Sequence, residues 1–187
     1  MNKMKSENIF PTVEQLNHEL RRERYKERYK KTLWSTIYIL IVVAAIAVII
    51  SSIICPVMQI TGESMTPTLN ENEIVVLVKV KTLRPGDLVG FSWNNKTLIK
   101  RVIATPGDWV VIDKDGTVFV NEVALQENYV EERSLGECDL TFPFQVPESC
   151  YFVLGDHRAT SVDSRSSVIG SVNENQIFGK VWFRVFP

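Results

Sequence analysis

An uninterrupted apolar segment near the N-terminus constrains this chain more than any other feature of its sequence. Residues Leu33–Ile54 include no charged side chain. As an α-helix these 22 residues would extend about 33 Å at roughly 1.5 Å per residue, which matches a hydrocarbon core of about 30 Å. A cleaved signal peptide is the competing interpretation, but the segment is too long and has no small-x-small site at its outer end. We therefore predict a transmembrane anchor that is not cleaved.

Charge is distributed unequally on the two sides of this segment. Residues 1–31 hold nine Lys/Arg and five Asp/Glu, whereas residues 55–187 hold twelve and seventeen. The positive-inside rule then predicts a single-pass protein of the cell membrane. Its parts are a cytoplasmic basic tail at 1–31, an anchor at 32–55 and an extracytoplasmic domain at 56–187.

The basic tail contains a helix-start signal. Thr12 followed by Gln15 three residues later is a capping-box pattern, which predicts that a polar helix runs from this point into the anchor. The basic run could also contact anionic lipid head groups, although a topology signal on a solvated helix is the simpler interpretation. Nucleic-acid binding is not expected.

After the anchor the sequence changes to short alternating segments rich in β-branched residues. Turns rich in Pro, Gly, Asn and Asp separate these segments, and no long amphipathic helix interrupts them. We predict a mainly β protein, in which a single N-terminal transmembrane helix precedes one antiparallel β-sheet domain. The predicted strands are Ile74–Val80, Leu88–Trp93, Leu98–Ala104, Trp109–Ile112, Thr117–Val120, Tyr151–Leu154 and Ile177–Phe186.

The stretch just after the anchor contains a serine in a predicted stiff turn. Two residues restrict the backbone on either side of Ser64. Gly62, before it, permits a positive φ, and Pro67, after it, has its own φ fixed by its ring. A serine hydroxyl is a weak nucleophile at its own pKa, so catalysis would require a base elsewhere in the chain. His18 is predicted on the opposite side of the membrane. The remaining candidates are His157 and a lysine that can be neutral near pH 7.

Lys100 has the most suitable surroundings among the lysines. Alternation places it with Leu98 and Val102 on one face of a predicted strand, so its amine would lie among apolar side chains. Burial disfavours the ammonium form, and a fall in pKa from about 10.4 to about 8 costs roughly 3 kcal/mol, which desolvation can supply. The alternative, in which Lys100 extends from a strand edge into water as most lysines do, stays open at this point.

Three segments form an ordered set of motifs: Thr61–Thr68 (TGESMTPT), Ile99–Asp108 (IKRVIATPGD) and Gly155–Arg165 (GDHRATSVDSR). In this order they resemble the motif boxes of type I signal peptidases, in the compact form found in Gram-positive bacteria. Together with the anchor, the resemblance covers most of residues 33–187. It implies a β-sheet domain of signal-peptidase type and a membrane-bound serine endopeptidase. That enzyme would remove signal peptides from secreted preproteins after small residues, at Ala-x-Ala-like sites.

The resemblance also implies roles for particular residues. Ser64 would be the nucleophile and Lys100 the general base of a Ser-Lys dyad. Ser161 would hydrogen-bond to the lysine amine and orient it. Asp163 and Arg165 would form an ion pair that supports these residues.

Substrate contacts are implied in the same way. The backbone amide of Ser64 would donate to the oxyanion. Some family members supply a second donor from a serine hydroxyl two residues earlier, where this chain has Gly62. Met65, Leu98 and Ile99 would line pockets for the small residues before the cut. An extended substrate could bind as an added strand beside this backbone.

Other interpretations remain at this stage. His157 stands where many family members have Asn, and it could be a triad base or a loop side chain bonded to its own turn. The Asp163–Arg165 pair could be an ordinary surface salt bridge. A non-catalytic assembly factor for surface proteins with the same fold is the alternative function. A penicillin-recognising enzyme is disfavoured because Pro67 occupies the lysine position of a Ser-x-x-Lys motif. A Ser-Lys self-cleaving repressor is disfavoured because an anchor precedes the domain.

The three cysteines of the chain do not predict one arrangement. Cys138 and Cys150 could form a disulfide or remain free thiols, and Cys55 is most simply a small apolar residue. No cofactor is expected, and no metal site is apparent from the spacing of cysteine and histidine. The predicted partners are signal peptides of secretory preproteins and the lipid bilayer.

Overall fold

The computed structural model describes residues 12–185, with the backbone alone for residues 50–54. The chain divides into two compact units after Ile50. The first unit is the helical part and the second is the β part.

A single long helix, α1 (Val13–Ile54), makes up the described part of the helical unit and ends four residues beyond its boundary. Its first turn has the predicted cap, because the Gln15 side chain accepts a hydrogen bond from the Thr12 backbone N–H at 3.0 Å. The side chains described along α1 are exposed, including its apolar residues up to Ile49. The helix is long and apolar enough to cross a membrane. The predicted helix is confirmed, because it passes from the polar tail into the apolar segment without a break, and one of the two hydrogen bonds of a capping box is present at its start.

Up to residue 185, the β unit is built from eleven strands, all paired antiparallel. They are β1 (Val57–Gln59), β2 (Ile74–Val78), β3 (Leu88–Trp93), β4 (Lys96–Ala104), β5 (Trp109–Ile112), β6 (Val118–Val120), β7 (Val123–Ala124), β8 (Phe144–Gln145), β9 (Cys150–Leu154), β10 (Val172–Asn173) and β11 (Ile177–Val185). The larger sheet has the order β1-β2-β11-β3-β4-β9-β10, and the smaller sheet has the order β7-β6-β5-β8. The mainly β fold predicted from the sequence is confirmed.

The predicted strands are all present, with small differences at their ends. Strands β3 and β5 have the predicted bounds. Strand β11 ends at Val185, and Phe186 lies outside the described residues. Four further strands, β1, β7, β8 and β10, are two or three residues long. Such segments are too short for alternation to reveal, and pairing with a neighbouring strand defines them.

The core joins the two sheets through β4 and β9. One hydrophobic cluster includes Ile103 and Phe152 from the larger sheet and Val110 and Val118 from the smaller sheet, all at most 1% exposed. A second cluster packs Val102 of β4 against other strands of the larger sheet. The strand β4 is therefore held on both sides by packed apolar side chains.

Strand β4 is only partly paired along the edge that faces β9. Its register with β9 begins at Arg101, which lies opposite Leu154, the last residue of β9. Before Arg101, residues Lys96–Lys100 pair with β3 on the other edge. Strand β1 pairs with β2 and stands at the end of the larger sheet. The structure therefore leaves strand edges open close to the segments that the sequence analysis selected.

Candidate active site

Ser64 lies in a tight turn between β1 and β2. The backbone N–H of Thr66 donates to the carbonyl of Glu63 at 3.1 Å, and the Thr66 hydroxyl donates to the same carbonyl at 2.8 Å. Gly62 has a φ of 87°, a conformation that glycine adopts without strain. The stiff turn predicted around Ser64 is therefore present, and the Ser64 side chain is half-buried.

Lys100 is buried and contacts Ser64 directly. Its residue exposure is 2%, and its Nζ donates to Oγ of Ser64 at 2.6 Å. Lys100 stands on β4 opposite Val89, a fully buried residue of β3. The predicted burial of Lys100 is confirmed, and the alternative of a lysine that extends into water is wrong. The amine lies beside Ser64 and near buried charged groups, however, rather than among apolar side chains alone.

Burial changes the protonation of this lysine. Desolvation lowers the pKa of Lys100 to about 8, while the Asp163 carboxylate opposes this change, Arg165 reinforces it and Asp156 opposes it. A group with a pKa of about 8 is neutral in roughly a tenth of molecules at pH 7 and in most molecules at pH 9. The structure therefore places a lysine that can accept a proton within hydrogen-bond distance of a serine hydroxyl.

Asp163 and Arg165 form a buried ion pair in the loop after β9. Arg165 Nε donates to Asp163 Oδ1 at 2.8 Å, and Nη2 donates to Oδ2 at 2.9 Å. Both residues are 0% exposed. Arg165 also donates to the carbonyls of Ser134, Leu135, Arg158 and Ser161. The predicted ion pair is present, and the surface salt bridge considered as its alternative is wrong because the pair is removed from water.

Ser161 is buried beside Ser64 but does not bond to Lys100 in this structure. Its Oγ has no hydrogen-bond partner among the described residues, and the residue is 2% exposed. A Cβ built on Gly155 would lie 2.1 Å from Ser161 Oγ and 2.6 Å from the Ser64 carbonyl oxygen. The loop and the Ser64 turn therefore meet closely at Gly155, and the predicted bond from Ser161 to the amine is not formed here.

His157 bonds to its own loop rather than to Ser64 Oγ. Its Nδ1 is hydrogen-bonded to Oγ1 of Thr160. Its backbone N–H donates to the carbonyl of Ser64 at 3.2 Å, which ties the loop to the serine turn. The interpretation of His157 as a loop side chain fits this geometry better than that of a triad base.

Two further buried ion pairs surround the site, and the sequence analysis gave their members no role. Arg101 donates to Asp156 through Nε at 2.8 Å and Nη2 at 2.5 Å. Arg158 donates to Glu127 through Nη1 at 3.1 Å and through Nη2. Arg101, Asp156 and Arg158 stand inside the quoted motif segments, so they could have been selected there. Glu127 had no local signal, because its partner lies 31 positions away.

A groove of about 310 Å³ opens beside Ser64. Two stretches of backbone, residues 58–62 and residues 96–99, line it. A side chain added at Gly62 would meet nothing within 4 Å, because it would point into open space. The predicted substrate contacts all line this groove: Gly62, Met65, Leu98 and Ile99.

The structure shows neither a disulfide nor a metal-binding cluster among residues 12–185. Cys55, Cys138 and Cys150 are free, so the disulfide considered between Cys138 and Cys150 is absent from the structure. Within residues 12–185, no group of three or more His, Cys, Asp or Glu side chains is arranged to hold a metal ion.

Comparison with known proteins selects one family. The family model described as "Signal peptidase, peptidase S26" matches residues 33–186. Signal peptidase IB of Staphylococcus aureus (strain COL) is 40% identical over 149 residues, which cover 68% of this chain and 76% of that protein. Signal peptidase I of Bacillus caldolyticus is 36% identical over 144 residues, which cover 68% and 78%. A crystal structure of a signal peptidase I from Enterococcus faecalis V583 is 30% identical, with a TM-score of 0.45, and the match covers 55% of this chain and 98% of that chain.

The close contact at Gly155 generates a prediction. Gly155→Ala should reduce peptide cleavage by about a hundredfold or more, because the added methyl would displace Ser161 or the Ser64 turn. The matched control is Gly170→Ala, whose methyl meets nothing within 4 Å, although its φ of 61° adds backbone strain. This control should lose some stability and keep its activity. Equal activity of the two variants, measured per folded molecule, would refute the proposed close packing.

Proposed function

The chain belongs to the signal peptidase family, peptidase S26, and on that premise we propose that it cleaves signal peptides with Ser64 as nucleophile and Lys100 as general base. Membership of this family makes it a serine-type signal peptidase. We infer further that it cuts after small residues and that the reaction takes place on the outer side of the membrane.

The hydrogen bond of 2.6 Å between Lys100 Nζ and Ser64 Oγ is the observation that carries the proposal. A nucleophile and its base must be within hydrogen-bond reach, and the base must be able to be neutral. Lys100 meets the second requirement because burial lowers its pKa to about 8. His157, the other candidate base, is hydrogen-bonded to Thr160 instead.

The chemistry follows from this geometry in two steps. Neutral Lys100 accepts the proton of the Ser64 hydroxyl while Oγ attacks the scissile carbonyl carbon. The resulting ammonium then donates that proton to the leaving amine, which leaves an ester on Ser64. In the second step the lysine amine accepts a proton from water, and the hydroxide cleaves the ester. The proton returns to Ser64 Oγ, so the enzyme ends in its starting state.

The Ser64 backbone supports stabilisation of the oxyanion. Its N–H makes no hydrogen bond to another backbone or side-chain group among residues 12–185, so it can donate to the developing charge. Position 62 is glycine and lacks the hydroxyl that some family members supply as a second donor. We propose the Ser64 backbone N–H as the donor to the oxyanion.

The groove supports binding of an extended peptide. Its two walls come from β1 with the residues after it and from the part of β4 that β9 does not cover. Open strand edges bind extended peptides through main-chain hydrogen bonds, which do not read most side chains. Selectivity must then come from pockets near the reacting atoms. Met65, Leu98 and Ile99 supply apolar walls there.

The buried Asp163–Arg165 pair and Ser161 support the dyad in this proposal. The pair fixes the loop against Ser64, since the Gly155 N–H donates to Asp163 Oδ2 at 3.0 Å. Ser161 Oγ, buried and without a partner, is free to bond to the lysine amine when the substrate is bound. Such a bond would orient the amine towards Ser64.

The apolar helix supports a membrane-anchored enzyme whose catalytic domain is outside. A signal peptide ends at the outer surface of the membrane after translocation, so a domain anchored there would meet its cleavage site. The basic tail before Leu33 supports this orientation, with residues 1–31 in the cytoplasm.

A mutational test separates the two candidate bases. Lys100→Ala should abolish cleavage as completely as Ser64→Ala, because members of one catalytic unit fail together. His157→Asn should retain nearly full activity. The measurement is cleavage of a preprotein panel by the detergent-solubilised enzyme, with sequencing of the new N-termini. An active Lys100→Ala protein together with a folded but inactive His157→Asn protein would assign the base to His157.

The pH dependence gives an independent prediction. Because the lysine must be neutral, kcat/KM should rise with pH through an apparent pKa near 8 and be highest in mildly alkaline buffer. The midpoint of this rise should therefore lie above the ordinary pKa of histidine, which is about 6.5. A profile that is already flat above pH 7 would contradict a lysine base.

The shape of the groove predicts specificity. The enzyme should cleave after Ala, Gly or Ser and reject a larger residue at this position, at a cost of roughly 1 to 3 kcal/mol or more from overpacking. The measurement compares kcat/KM for peptides that differ only in the residue before the cut. Equal cleavage after Ala and after Leu would disprove the assignment of the small pocket.

The orientation can be tested in intact cells. Protease added outside should digest the region after Cys55 and leave residues 1–31 intact, because the positive-inside rule places the tail in the cytoplasm. The measurement uses epitope tags at both termini, and lysed cells are the control. Protection of the C-terminal tag in intact cells would show the opposite orientation.

A further inference from the structure

Tyr129 lies outside the three motif segments and yet contacts the residue next to Lys100. Its ring centroid is 3.9 Å from Cζ of Arg101, with the guanidinium over the ring. Its hydroxyl donates to Oε1 of Glu127 at 3.1 Å. Both residues belong to the segment that follows β7 of the smaller sheet. This segment therefore reaches across to the strand that carries the proposed base.

Arg101 connects this contact to the charges around Lys100. Besides its two bonds to Asp156, it donates to the Gly86 carbonyl at 3.0 Å and to Thr68 Oγ1 at 3.1 Å. The carboxylate of Asp156 favours the ammonium form of Lys100. A guanidinium held on that carboxylate offsets its charge. The position of Arg101 therefore bears on how easily Lys100 loses its proton.

Glu127 also stabilises the loop after β9, through Arg158. It accepts two hydrogen bonds from Arg158, and Arg158 Nε donates to the Gly155 carbonyl at 3.1 Å. Gly155 is the residue that packs against Ser64 and Ser161. Glu127 thus holds both the ring of Tyr129 and the arginine that fixes Gly155.

We propose that Tyr129 is a positioning residue for the reaction, whose ring keeps Arg101 on Asp156 while Glu127 fixes the ring and Arg158. This inference rests on the proposed roles of Ser64 and Lys100. A cation over an aromatic face is stabilised by the ring and is shielded from water. Without the ring, the guanidinium becomes hydrated and spends less time on Asp156.

Loss of the Tyr129 ring should change the pairing of one carboxylate near Lys100, that of Asp156. The charged groups facing Lys100 are Asp163, Arg165 and Asp156, with Arg101 beside it on β4. Asp163 remains paired with Arg165, whose guanidinium has four carbonyl partners of its own. Loss of the Tyr129 ring therefore exposes Lys100 chiefly to the charge of Asp156, which makes the lysine harder to deprotonate.

The test is the pH profile of kcat/KM, measured with the full-length enzyme in detergent and a synthetic peptide that has Ala-x-Ala before the cut. The acid limb of this profile is the part in which kcat/KM rises with pH as the lysine loses its proton. Tyr129→Leu should move this limb to higher pH. The value of kcat/KM at pH 7 should fall roughly three- to tenfold and recover in alkaline buffer. Tyr129→Phe keeps the ring but loses its bond to Glu127, so it should shift the limb much less than Tyr129→Leu does. A limb that Tyr129→Leu leaves in place would overturn the proposal, and so would an equal shift in Tyr129→Phe.

A control variant separates a specific effect on Lys100 from a general loss of stability. Phe144→Leu alters an aromatic contact between Phe144 of the smaller sheet and Phe152 of the larger sheet, in the core that joins them, so it should reduce stability without moving the limb. A lower folded fraction scales the whole profile but does not shift it. A limb shift in Phe144→Leu equal to that in Tyr129→Leu would make the effect a general one and overturn the proposal.

The double variant tests the route through Asp156. Asp156→Asn removes the charge, so adding Tyr129→Leu to it should cause no further shift. If Asp156→Asn does not fold, Arg101→Gln serves as the background, because it removes the cation that the ring faces. A full additional shift in either background would overturn the route. Activity of the wild type and its loss in Ser64→Ala check the proposed function separately, so failure of this inference leaves that function intact.

Discussion

The burial of the Lys100 amine beside the Ser64 hydroxyl is the constraint on which the rest of the site depends. An ammonium group in water is strongly solvated, and moving it into a dry site shifts its pKa from 10.5 to about 8. This shift is worth about 3 kcal/mol. The cost is fully present below pH 8 or so, where the lysine is charged in both the folded and the unfolded chain. It diminishes as the pH rises towards 10.5, because folding then buries a neutral amine.

Two buried arginine–carboxylate pairs, Arg165–Asp163 and Arg101–Asp156, include the carboxylates that act on this amine, and their arrangement follows from that cost. Asp156 and Asp163 both favour the charged lysine, so each must be offset if the lysine is to be a base. Arg101 and Arg165 perform this function with two hydrogen bonds to each carboxylate. Arginine suits the task because its planar guanidinium matches a carboxylate and keeps its charge when buried. A buried pair is strongly destabilised when one partner is lost, so these residues support both fold and protonation.

Much of this structure could be predicted from local patterns. The alternation around Lys100 indicated a buried face, and Asn94 and Asn95, with φ of 44° and 62°, form the hairpin turn that their residue types favour. Glu127 and Tyr129 could not be found in this way, because their partners lie far away in the sequence and only the packing of the smaller sheet brings them together. The hydrogen bonding of the Ser161 hydroxyl could not be predicted from the sequence either. Its hydroxyl is buried beside Ser64 without the bond to the amine that the motif implies.

The most direct test of this account is the titration of Lys100 itself. Full-length protein labelled with ¹⁵N-lysine, in detergent micelles, would be followed by NMR across the pH range, with the Lys100 signal assigned by its loss in Lys100→Arg. The account predicts a midpoint near 8, well below the other lysines. A midpoint near 10.5, the ordinary value, would mean that the amine is charged throughout the neutral range, and it would contradict the assignment of Lys100 as the base.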